Sequence, residues 1–255
     1  MDTFEKATSS GTQAIERSVL LLRVIASQGS RGARIGEIIE WSQLPRPTIY
    51  RLLSVLQREG LLEYNNQKRR YRIGPTMYEF GLSAPSPIER IDRYRPALKW
   101  LAAYSDDTAY LVMRTGDEAV CLAIEEGSFP IRARTFEIGA RRPLGLGAAG
   151  LALIAELPDE QIDEITLRKG QLLQNAGVSV ASLKQRINRT RSLGYAHSEN
   201  TITQHVTGIG FTIPASKGLP FLAFSIAAIS PRMPAERMPK LKAAIEKAIE
   251  MIPGE

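Results

Sequence analysis

Apolar and polar positions follow two different periods along this chain, and the change of period divides it. In the first hundred residues the spacing is mostly helical, broken by one strand pair. Residues 16–26 set Val19, Leu22 and Ala26 on one stripe, with Leu21 and Ile25 beside it, the three- and four-residue steps of an amphipathic helix. Gly29 and Gly32 bracket a loop that carries Arg31 and Arg34. Residues 35–41 read as a short amphipathic helix with Trp41 in the core, and residues 42–45 as a turn. Residues 47–59 read as a longer helix with Ile49, Leu52, Leu53 and Leu56 inward, opened by Pro47 and stopped by Gly60. Residues 61–64 and 69–73 then read as two strands around the polar turn 65–68.

Residues 74–82 follow as a short helix, and Ser83-Ala84-Pro85-Ser86-Pro87 is a natural boundary, because closely spaced prolines do not continue a helix. Residues 88–103 are helical, with Ile91, Leu98 and Leu101 inward and Pro96 expected to kink or split them. From Thr108 the period becomes that of strands: 108–114, 119–124 and the alternating 131–135. Three helices follow, over 148–157, 159–170 and 180–193. Two more strands, 209–213 and 221–229, are joined by a turn at Lys217-Gly218, and residues 234–252 close the chain as a helix. Strand pairs separated by helices imply an antiparallel sheet with helices packed on it. The fold class is α+β, with regions 12–74, 75–87 and 88–253.

Charge sharpens the picture of the first region. Lys and Arg number 33 against 27 Asp and Glu overall; residues 1–83 hold 12 against 8, and the remaining two thirds 21 against 19. The first third is the basic part, which favours a polyanion there. Two short helices joined by a tight turn, the second one stronger, form the helix-turn-helix pattern. Away from its leucine stripe the second helix carries Arg46, Thr48, Tyr50, Arg51 and Ser54, groups able to meet phosphates or base edges. The hairpin tip after it carries Lys68, Arg69 and Arg70, a basic wing placed to reach the sugar-phosphate backbone. Arg34 joins these as a DNA-binding candidate, whereas Arg17 and Arg23 read as solvated.

Residues 44–53, then Leu56, Glu59-Gly60-Leu61-Leu62 and Tyr71-Arg72-Ile73-Gly74-Pro75, resemble the winged helix-turn-helix domain of the IclR family of bacterial transcriptional regulators. Residues 139–144 with 148–155, Gly194-Tyr195-Ala196 and the final strand pair resemble that family's effector-binding domain, a fold similar to GAF and PAS domains. The resemblance covers roughly residues 14–250 and departs from the family pattern at Pro47, Ser198, Gly208 and Thr212. It implies a double-stranded DNA operator, a linker helix that takes part in dimer contacts, a homodimer or homotetramer, and a small-molecule effector. Carried over residue by residue, the effector positions are Ile131 and Arg134 on a strand, Leu144, Ala148 and Ala149 at the start of the apolar helix, Ser198 and Gly208 after Tyr195, and Ser225 and Ala227 alternating on the last strand. Small residues leave a cavity, the helix start offers free N–H groups, and Arg134 adds charge. An organic acid or an aromatic compound is the expected effector. Arg132, Arg141 and Arg142 read equally well as solvated.

Two enzyme signals compete with this reading. Gly145-Leu146-Gly147-Ala148-Ala149-Gly150 spells G-x-G-x-x-G ahead of a helix and would suit an NAD(P)-dependent oxidoreductase. A dinucleotide site needs a buried parallel strand feeding the first glycine, and the charged, proline-containing segment before it is not one. Cys121 could pair with His197 or His205, but it lies in an apolar strand, where a thiol is usually a small core residue. One cysteine and two histidines offer little for zinc, and no cofactor is expected. A C-terminal domain that only oligomerises is the remaining alternative. No run of about 18 apolar residues is present, and residues 1–6 do not read as a secretory leader, so the expected compartment is the cytoplasm.

Overall fold

Leu21 and Ile25, one helical turn apart, are the residues through which the first helix, α1 (Ser10–Ala26), enters a core. The buried stripe is centred there and not on Val19, which is exposed. α2 (Ile35–Ser42) contributes Ile38, and α3 (Arg46–Arg58) contributes Ile49, Leu52, Leu53 and Leu56. Trp41, expected in the core, is 41% exposed, because the inward positions of α2 are Ile38 and, one turn on, Ser42. Strands β1 (Leu62–Asn65) and β2 (Arg70–Ile73) pair antiparallel, Leu62 opposite Ile73. Ala33 adds a one-residue third strand, exchanging N–H···O bonds of 2.9 and 2.8 Å with Tyr71. Gly32, at φ +70°, makes this approach possible: a Cβ there would stand 2.5 Å from the Tyr71 carbonyl oxygen. α4 (Pro75–Ser83) follows with no buried residue.

The chain, described by this computed structural model over residues 10–83, 87–215 and 221–253, divides into two compact units, 1–87 and 88–255. The boundary residues 84–86 and the expected turn at Lys217-Gly218 lie outside the described residues.

The second unit is built on one antiparallel sheet with helices on both faces. After α5 (Pro87–Ser105) come β3 (Thr108–Thr115), β4 (Glu118–Glu125), β5 (Arg141–Pro143), α6 (Gly147–Ala155), α7 (Asp159–Asn175), α8 (Val180–Leu193), β6 (Ala196–Glu199), β7 (Val206–Ile213), β8 (Leu222–Ile229) and α9 (Met238–Glu250). The strand order is β5-β4-β3-β8-β7-β6. Alternation on β8 separates two cores. Ala223 and Ala227 join the cluster under α6, α7 and α8, whereas Phe224, Ile226 and Ala228 join the one under α5 and α9.

Several expectations are corrected. α5 does not split at Pro96; Ala97, Leu98, Leu101 and Ala102 beyond it are buried, and that packing outweighs the one backbone bond proline removes. α7 runs through Gly170 to Asn175, held by Ile162, Ile165, Thr166 and Leu173 inside. The final helix starts at Met238, after a 3₁₀ turn over Ala235–Arg237. No strand forms over residues 131–135. β5 takes the free edge of β4, and Tyr110 supplies bonds a neighbouring strand would have made: its hydroxyl donates to the Ala133 carbonyl (2.6 Å) and accepts from the Thr135 N–H (3.0 Å).

Candidate nucleic-acid interface and ligand cavity

Helix α3 advances 100° per residue, which sets Arg51 and Ser54 opposite the buried stripe, with Arg46, Thr48 and Tyr50 flanking them. Arg46, Arg51 and Ser54 are exposed, Tyr50 is 53% exposed, and Thr48 is half-buried. The helix starts at Arg46, with Pro45 at the position before it, where no side chain caps the helix, and Pro47 inside its first turn. Among the described residues no carboxylate pairs with Arg46 or Arg51, in contrast to Arg31 on Glu37 and Arg58 on Glu59. Two exposed guanidiniums, about 140° apart around the helix axis, are therefore without counter-charge among the described residues.

The wing tip is a turn over residues 66–69. The Asn65 side chain accepts from the Lys68 N–H at 2.8 Å, and Arg69 takes a left-handed φ of +51°. Lys68 and Arg69 are exposed. Arg70, expected beside them, is corrected: its guanidinium is 13% exposed and is used inside the domain. It donates to the Gly32 carbonyl at 2.7 Å and to Glu37 at 3.1 Å. The strand pleat turns it back toward α2, away from the tip. Glu37 thus ties together the Arg34 N–H (2.7 Å), Arg31 and Arg70. The Arg34 N–H, then the Arg31 and Arg70 charges, hold its carboxyl below the usual carboxylate range against the opposing effect of burial. Arg34 itself is exposed, immediately ahead of α2.

In the second unit β7 and α6 meet closely. A Cβ on Gly210 would lie 2.6 Å from the Ala148 carbonyl carbon, so only glycine lets the helix sit this low. Beside that contact a cavity opens at the start of α6, lined by Ala148, Ala149, Ser198, Gly208, Ser225 and Ala227. All six were expected there. No side chain caps the first turn of α6, and its N–H groups are unsatisfied by the helix itself. Ser225, buried at 6% exposure, faces the cavity.

Three expected positions are not in it. Leu144 is fully buried in the core. Ile131 is 56% exposed, because its segment is not a strand. Arg134 is half exposed and engaged by Glu137 at 2.8 Å and Glu126 at 3.7 Å.

The charge at the cavity comes instead from Arg142. Its guanidinium lies 4.3 Å from the Phe136 ring centroid and donates to the Thr135 carbonyl, and all three residues line the cavity. Arg132, Arg134 and Arg141 each have a carboxylate partner. Among the described residues Arg142 has none, and burial lowers its pKa. Tyr110, also missed, forms part of the lining, and burial pushes its phenol up. Nothing in the local sequence separates Arg142 from its three neighbours; only the fold of residues 126–140 does so.

The two enzyme signals dissolve in the geometry. The strand before Gly145 is β5, which runs antiparallel to β4, so no parallel strand feeds the glycines. Cys121 is buried in the core under α6, and burial pushes its thiol up to about 12. His197 lies on the other face of the sheet, and His205 is exposed. Among the described residues no group of three or more His, Cys, Asp or Glu could hold a metal, and no helix is long and apolar enough to cross a membrane.

A winged helix-turn-helix with exposed cationic side chains, carried by the same chain as an antiparallel α+β domain, defines a helix-turn-helix transcriptional regulator. The model of the IclR helix-turn-helix domain matches residues 14–66, and that of the bacterial transcriptional regulator IclR C-terminal domain matches residues 86–253. The chain belongs to the IclR family. It is 26% identical over 236 residues to the HTH-type transcriptional repressor AllR of Klebsiella pneumoniae, covering 92% of this chain and 84% of that protein. It is 25% identical over 239 residues to the HTH-type transcriptional regulator KipR of Bacillus subtilis, covering 92% and 94%. The fold matches the crystal structure of an IclR transcriptional regulator from Alicyclobacillus acidocaldarius, with a TM-score of 0.74 at 20% identity over 94% of this chain and 97% of that one. These relatives are named as regulators, not enzymes.

Proposed function

We propose that this protein is a homo-oligomeric regulator whose operator binding responds to a small carboxylate held at the start of α6. In this reading α3 enters the major groove, with Arg46, Arg51 and Ser54 toward base edges and Lys68 and Arg69 on the backbone. Two protomers read a near-palindromic site, since two-fold symmetry in the protein is mirrored in the DNA. Support for self-association comes from α4, where Tyr78, Phe80 and Leu82 are 69%, 61% and 60% exposed, a costly arrangement in water unless covered. The ligand acts by preferring one placement of the paired reading heads over another. The setting is the cytoplasm, where the DNA is.

The observation that carries the ligand assignment is Arg142: a half-buried guanidinium without a carboxylate partner among the described residues, at a cavity that also presents the uncapped start of α6 and the Ser225 hydroxyl. A carboxylate would supply the missing counter-charge and accept from all three. The cavity leaves about 50 Å³ open to the centres of water-sized molecules, room for about four of them. That favours a compact acid over an aromatic one. Calorimetric titration of the whole protein with carboxylates of about two to four carbons, each beside its neutral amide, tests the reading. Acids are expected to bind and to change duplex affinity; equal binding of the amides would remove the charge from the argument.

A further inference from the structure

β6 is an outer strand of the sheet, and its pleat serves two cavities. Ser198, opposite Gly208 on β7, belongs to the cavity described above. Its neighbours His197 and Glu199, opposite Ile209 and Thr207, line a second cavity on the α9 face. That cavity leaves about 350 Å³ open to the centres of water-sized molecules, within the range of small-molecule sites. Its floor is apolar, with Met233 and Met238 buried. Thr207 is buried too, and its hydroxyl is already paired with Ser230 at 2.9 Å.

The rim carries opposite charges. Arg189 of α8 and Glu199 are both exposed, and among the described residues neither is ion-paired. His197 is half-buried in the same cavity, and its imidazole is pushed below its usual range by burial first and the Arg189 charge second, with Glu199 opposing. Near neutral pH it is therefore an uncharged donor and acceptor. A simple anion would meet Glu199, and a simple cation would meet Arg189. A molecule carrying both charges a few bonds apart, with an apolar extension, satisfies both rim groups and the thioether floor.

We propose that this is a second ligand site, separate from the Arg142 cavity, which takes an amino acid with an apolar side chain: carboxylate to Arg189, ammonium to Glu199, side chain over Met233 and Met238. Neither the site nor its ligand class depends on what fills the first cavity.

The test is calorimetric titration of the full chain with leucine, methionine and phenylalanine, beside 4-methylpentanoate and isopentylamine, which each lack one charge. At least one of the three amino acids is expected to bind once per chain, with the single-charge analogues weaker by about tenfold or more, as loss of a charge-assisted hydrogen bond requires. Arg189→Gln and Glu199→Gln, both at exposed positions and checked by an unchanged melting temperature, should each weaken the amino acid by a similar factor. Arg142→Gln should leave it unchanged. The proposal is overturned if none of the three amino acids binds at millimolar concentration, if the single-charge analogues bind as well as the amino acid, or if Arg142→Gln abolishes binding that the two rim variants preserve.

Discussion

Arg142 stacks its guanidinium on the Phe136 ring with 4.3 Å between them, and that contact holds a positive charge at the edge of a cavity where no carboxylate among the described residues meets it. Arg142→Gln should reduce affinity for a compact carboxylate by about 2 kcal/mol, the range for a hydrogen bond to a charged group. Arg142→Lys should recover only part of the loss, because an ammonium offers neither the planar fork nor the same stacking. Titration calorimetry of the three proteins checks both statements.

Arg46 and Arg51 are the exposed guanidiniums of α3 without a carboxylate partner among the described residues. On a duplex selected from a random pool, Arg46→Ala and Arg51→Ala should each cost about 1–3 kcal/mol and relax preference at particular base pairs. Lys68→Ala should weaken selected and random duplexes alike and lower the slope of log affinity against log salt by about one. Fluorescence anisotropy over a salt series gives both readouts. Unchanged affinity in both arginine variants would sink the assignment of α3 as the reading helix.

Glu37 accepts from the Arg34 N–H, Arg31 and Arg70. Its carboxyl is held below the usual range, so its contribution to stability is present above the carboxylate's unfolded pKa and is lost as pH falls through the lower folded value. Glu37→Gln should melt earlier than the parent at neutral pH, by about 1 kcal/mol for an exposed-to-half-buried network. The gap between the two proteins should close in acid. Thermal melts followed by circular dichroism over a pH series read this directly.

Gly210→Ala would set a methyl group 2.6 Å from the Ala148 carbonyl carbon. Either α6 lifts or β7 shifts, at about 1–3 kcal/mol. Since Ala148 and Ala149 form the cavity wall, the variant should lose carboxylate affinity as well as stability. A variant that melts and binds like the parent would mean that α6 does not rest on β7 at this point.

Sequence periodicity located most of the elements, because most of them are stabilised by their own apolar stripe. The stripe of α3, Ile49, Leu52, Leu53 and Leu56, is buried as its spacing predicted. Misreadings arose where the deciding partner is distant in sequence. Residues 131–135 alternate like a strand, yet β5 holds the neighbouring edge and Tyr110 satisfies the backbone there. Arg70 looks like a wing-tip charge until Glu37, 33 residues earlier, is found to hold it. Positions in the cavity followed the same rule. Those on regular elements, Ala148, Ala149, Ser198, Gly208, Ser225 and Ala227, came from the family resemblance, and small residues beside a helix start gave it a physical reason. Arg142, Thr135 and Phe136 were not, since an irregular segment brings them together.

The fastening of Arg70 to Glu37 and to the Gly32 carbonyl bears on how one fold can serve many operators. It ties the hairpin to the second helix through Arg70. If α3 is the reading helix, its exposed residues can change which bases are preferred while that tie stays the same. Adaptation to a new half-site separation would then fall to the contacts that pair two copies in the proposed oligomer.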